Sequence, residues 1–96
     1  MSLSPFEVEV LGRVADDYEA VETIRDDLAR DLRRPVSDEE VGVTLLALTR
    51  AGLVDAFFYD AAATKYRPAE IETVPVADLW FLTNKKGRAQ LEQFRA

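Results

Sequence analysis

The sequence contains no cysteine and no histidine. The first absence rules out disulfides and thiolate metal sites. The second removes the commonest metal ligand and the usual general base near neutral pH. No Ser-His-Asp or Cys-His arrangement can be assembled from such a chain. Glycine is scarce: Gly12, Gly42, Gly52 and Gly87 lie far apart, so there is no glycine-rich phosphate loop. Long apolar runs are missing too. Nothing approaches the roughly 20 residues that cross a bilayer, and the N-terminus lacks the apolar stretch of a secretory signal. These gaps lead us to expect a cytoplasmic protein that is not an enzyme, with no catalytic residue, metal, cofactor or membrane partner.

What remains is a chain of 96 residues, 48% apolar and 31% charged, which suits one folded domain over residues 1–96 with a single core. The net charge is −6, and it is uneven. Residues 1–60 carry six basic and fourteen acidic side chains, while residues 61–96 carry six basic and four acidic. DNA-binding domains draw much of their affinity from a basic face, so an acidic total disfavours nucleic acid unless cations cluster locally. The adjacent carboxylates Asp16-Asp17 and Asp26-Asp27 point about 100° apart on a helix, so neither pair converges on a substrate or metal.

Capping signals organise the N-terminal half. Ser4-Pro5-Phe6-Glu7 has the serine, N1 proline and N3 glutamate of a helix start. Phe6, Val10, Leu11, Val14 and Tyr18 follow at helical spacing, with Asp16-Asp17 marking the end or the next turn. A second helix is predicted over about residues 19–32, with Val21, Ile24, Leu28 and Leu32 as its apolar stripe and Asp26–Arg30 as an i,i+4 pair. Pro35 ends it. The third helix opens with Val36, Ser37, Glu40 and Val41 arranged as a hydrophobic staple and capping box, and Gly52 closes it in left-handed geometry. Residues 53–59 read as a strand, 60–63 as a turn, 64–67 as a short return strand and 68–78 as a loop in which Pro68 and Pro75 discourage pairing. Residues 79–82 form the next strand, and Thr83 or Asn84 caps a final helix ending near Phe94.

Ser37, Val41, Leu45, Leu48, Gly52, Leu53 and Val54 follow the pattern S-x-x-x-V-x-x-x-L-x-x-L-x-x-x-G-L-V. Trp80-Phe81-Leu82-Thr83 followed by Gly87-Arg88-Ala89-x-Leu91 is similar to the "LT-x-x-G-R" join between a wing and its closing helix. Together these features resemble the winged helix-turn-helix superfamily, in particular transcriptional regulators of the MarR and PadR kinds. The chain departs from that pattern in placing three residues between Thr83 and Gly87, and in a stretch between Arg67 and Leu79 longer than a minimal wing. The resemblance implies an α+β fold: a three-helix bundle, a β-hairpin wing and a C-terminal helix. It also implies that the third helix enters the DNA major groove.

The residues of that helix object to the DNA role. On a wheel of 100° per residue, Val41, Thr44, Leu45, Leu48 and Thr49 face the core, while Val43, Leu46, Ala47 and Arg50 face out. Three of those four cannot hydrogen-bond to a base edge. Asp38-Glu39-Glu40 would meet approaching phosphate, although the helix dipole alone accounts for acids there. The apolar outer row has three readings: cover by the closing helix or by Ile71, Val74 and Val76 of the loop, a protein interface, or contact with thymine methyls. The favoured expectation is an interaction module that binds itself, as a homodimer, or a protein partner. Its candidate residues are Val43, Leu46, Ala47, Arg50 and Trp80. The alternative is a DNA-binding regulator using Lys65, Arg67, Lys85, Lys86 and Arg88 of the wing and final helix. Of the aromatics Phe57, Phe58, Tyr59, Trp80 and Phe81, alternation along the strands puts about half in the core, with Trp80 expected to face outward.

Overall fold

Capping chemistry sets the starts of α1 and α3 among elements that run α1 (Pro5–Arg13), β1 (Glu19–Ala20), α2 (Val21–Leu32), α3 (Asp38–Arg50), β2 (Val54–Asp60), β3 (Lys65–Pro68), a 3-10 turn (Val76–Asp78), β4 (Trp80–Thr83) and α4 (Lys85–Arg95). The structure, a computed structural model, describes residues 2–95. At α1 the capping box is complete: the Glu7 amide donates to the Ser4 hydroxyl, and the Ser4 amide donates to the Glu7 carboxylate. At α3 only half of it forms. The Glu40 amide donates to Ser37 Oγ at 3.0 Å, but the Glu40 carboxylate turns to Arg34. The C-terminus of α3 is a Schellman motif. Gly52 stands at φ 79° and donates to the Thr49 carbonyl, and Leu53 donates to the Leu48 carbonyl.

Four strands form an antiparallel sheet in the order β1-β4-β2-β3. Ala56 faces Phe81 on the inner side, both buried against the helices. That core gathers Leu11, Ile24, Leu28, Leu45, Leu48, Leu79 and Phe81, and truncating such a leucine to alanine costs roughly 2–5 kcal/mol. The outer side carries Phe57 opposite Trp80 and Tyr59 opposite Tyr66. Tyr18 stacks on Tyr66 with ring centroids 4.0 Å apart and meets Phe57 edge-on at 4.9 Å. Trp80 is therefore outward but roofed by Tyr66, 5.4 Å away.

Several expectations need correction. Tyr18 does not continue α1, which ends at Arg13. The two-residue strand β1, too short to show alternation, replaces the first turn expected for the second helix. Asp26 bonds Arg25, and Arg30 bonds Asp27 and Asp31, so the Asp26–Arg30 pair does not form. Leu32 is exposed at the end of the stripe. Pro68 belongs to β3 rather than to the loop, because β3 is an edge strand and needs no amide on its open side. Three alanines turn the hairpin because Asp60 Oδ1 accepts from the Ala62 and Ala63 amides, leaving Thr64 in a left-handed conformation at φ 54°.

Candidate interaction site

The outer face of α3 begins with the residue that the helix lacks. Gly42 is buried where the 3-10 turn packs on the helix, and a β-carbon there would stand 3.5 Å from Val76 Cγ1, an ordinary van der Waals contact. The turn covers only part of the face. Val43 remains 61% exposed, while Leu46 and Ala47 are half-buried and Arg50 is exposed. Between the start of α2, the first two turns of α3 and the 3-10 turn lies an open groove of about 270 Å³. Its floor is Val21, Gly42, Val43, Leu46, Val76 and Ala77. Glu22, Asp38 and Glu39 form its rim. Arg25 reaches across from α2, 2.8 Å from Asp38 and 2.9 Å from Asp26, and ties the two helix starts together.

A second hollow adjoins the first, sharing Ala77 and lined by Trp80, Phe58, Tyr59, Ala20, Val74 and Asp78. Thus Val43 and Leu46 meet in one groove and Trp80 lies in the next. Ala47 and Arg50 lie further along α3, outside both. Glu22, Gly42 and Ala77 were not among the sequence candidates, whereas Val76 was named there as cover for the outer row of α3, a place it takes in part beside Gly42.

The five wing and closing-helix cations do not form one patch. Arg67 Nε donates to Asp60 Oδ2 at 2.6 Å, which holds the Asp60 carboxyl below its ordinary pKa with help from the Ala63 and Ala62 amides. Arg88 donates to the Ala15 carbonyl at 2.8 Å. The Lys86 ammonium sits 3.9 Å from where a Gly52 β-carbon would be, near the negative end of the α3 dipole. Lys85 and Lys86 thus occupy the C-terminal end of α3, whose 13 residues span roughly 20 Å, and Lys65 lies at the far end of β2. Among the described residues, Arg50, Lys65, Lys85 and Lys86 form no ion pair. On the opposite strand edge, burial raises the Glu19 carboxyl above its ordinary pKa, and the charges of Asp27 and Asp17 add to the shift.

Among the described residues, no group of three or more carboxylates could hold a metal ion, and no helix is long and apolar enough to cross a membrane. No family model matches the chain, and no curated protein matches it. Among solved structures it is similar to a PadR-like transcription factor from Bacteroides fragilis. The TM-score is 0.68 at 13% identity, covering 94% of this chain and 76% of that one. It is also similar to a PadR-like transcriptional regulator from Bacillus cereus, with a TM-score of 0.70 at 17% identity, covering 94% and 77%. At such identity the likeness is one of fold. The chain has the winged-helix fold of PadR-like regulators, as the sequence resemblance implied.

Proposed function

We propose that this chain is a winged-helix regulator that binds DNA as a dimer, which reverses the order of the two expectations drawn from the sequence. The observation that carries the reading is the overlay on two PadR-like transcription factors along 94% of the chain. In helix-turn-helix proteins the element equivalent to α3 lies in the major groove. The outer row of α3 offers Arg50 as its one long hydrogen-bond donor and Val43 as a methyl surface, so base reading is sparse. Affinity then rests on phosphate contacts from Arg50, Lys65, Lys85 and Lys86. A dimer doubles that small footprint. Phe94, 47% exposed on α4 beside Leu3, Pro5 and Val8, offers a dimer contact away from α3.

Fluorescence anisotropy of a labelled mixed-sequence duplex, titrated with protein at several salt concentrations, tests the reading. Binding should weaken steeply with salt, and Lys85→Ala with Lys86→Ala should reduce the slope of log K against log salt by about 2 per chain. Absence of binding even at low salt sinks it.

A second reading, in which α3 receives a protein, is favoured by the exposure of Val43 above an apolar groove ringed by carboxylates.

A further inference from the structure

We propose that the groove between α2, α3 and the 3-10 turn docks a short protein segment carrying one or two apolar side chains flanked by lysine or arginine. The inference rests on the second reading above, that α3 offers its outer face to a protein, and it names the chemistry of that protein. At about 270 Å³ the groove falls just below the roughly 300–1,000 Å³ of pockets that take drug-sized ligands. It has room for side-chain anchors rather than for a whole cofactor. Its floor is aliphatic from end to end, so the anchor is apolar.

The rim decides what flanks the anchor. Glu22, Asp38 and Glu39 border the groove, Asp26 bonds Arg25 beside it, and Asp78 follows Ala77 into the adjoining hollow. Arg25, whose guanidinium reaches the rim at Asp38, is engaged by Asp26 and Asp38. Glu22 lies 3.9 Å from Arg25, at the edge of an ion pair, and among the described residues Glu39 has no cationic partner. The face is therefore negative around an apolar centre. A second copy seated here about a two-fold axis would bring two such rims together, and like charges across an interface are costly. A segment with cations beside its apolar anchor satisfies both the floor and the rim.

The test is amide-resolved NMR of the isotope-labelled protein. Two short peptides are compared, each with leucine anchors, one flanked by lysines and the other by glutamates. The lysine peptide should shift the amides of Gly42, Val43, Leu46 and Ala77, and its affinity should fall as salt rises. Glu22→Gln combined with Glu39→Gln should weaken it by about tenfold while leaving the spectrum of the free protein folded, since both side chains are exposed. Equal binding of the glutamate peptide at the same amides would overturn the charge assignment and keep the docking reading. Shifts of those amides by protein concentration alone would assign the groove to a second copy and overturn the inference. Shifts by duplex DNA and by neither peptide would overturn the docking reading itself. Absence of any shift with the lysine peptide also overturns the inference.

Discussion

Gly87 shows how one residue ties the wing to the closing helix. A β-carbon there would collide with the Leu53 carbonyl oxygen and stand 2.5 Å from Thr83 Cγ2. The crowding arises because Thr83 and Asn84 stitch three parts of the chain together. Thr83 Oγ1 donates to the Leu11 carbonyl at 2.8 Å, and its amide donates to the Val14 carbonyl at 2.8 Å. Asn84 Nδ2 donates to the Gly52 carbonyl, and Asn84 Oδ1 accepts from the Gly87 amide as the cap of α4. A likeness to the "LT-x-x-G-R" join, with one residue more before the glycine, was legible in the sequence, but the physical reason for Gly87 was not, since nothing local reveals that Leu53 lies under position 87. Gly87→Ala should destabilise the fold by about 3 kcal/mol, because both neighbours are held and cannot yield. Urea denaturation of the two proteins measures it, and an unchanged midpoint would show that α4 can lift away.

At the scale of elements, boundaries backed by capping chemistry were readable and those set by partners were not. The starts of α1 and α3 and the Gly52 stop follow from side chains within a few positions. By contrast, β1 exists only because β4 pairs with it, and Tyr18 leaves α1 to stack on Tyr66. The hairpin between β2 and β3 lies between these cases. Its alanines give no turn signal, yet Asp60 organises them by accepting two amides while it holds Arg67. The cost falls on Thr64, a β-branched residue at φ 54°. Thr64→Gly should relieve it and stabilise the protein by about 1 kcal/mol. The gain is partly offset by the greater entropy of glycine in the unfolded chain. A rise in thermal midpoint of a few degrees checks this, and a fall would mean that the Thr64 side chain makes a contact outweighing the strain.

Over the whole molecule the sequence revealed the fold but not the arrangement of its charges. The excess of cations after residue 60 looked like a basic wing, but Arg67 and Arg88 are engaged within the fold and the lysines divide between two ends of β2. Among the described residues of α3, the wing and α4, the cations Arg50, Lys65, Lys85 and Lys86 form neither an ion pair nor a side-chain hydrogen bond, and in the proposed reading they are what each chain offers phosphate, against a net charge of −6. Four neutralised phosphates correspond to a salt slope of roughly −4, and two chains acting together to roughly −7. Dimerisation is therefore what would make such a footprint useful, and the Phe94 patch is where it can be attacked without touching α3 or the cations. Phe94→Asp should give a monomer in sedimentation at concentrations where the unaltered protein is a dimer. Its slope of log K against log salt should fall to about half, because each chain then meets DNA alone. If the unaltered protein stays monomeric at every concentration, or if the slope is the same for both, the dimer has no part in DNA binding.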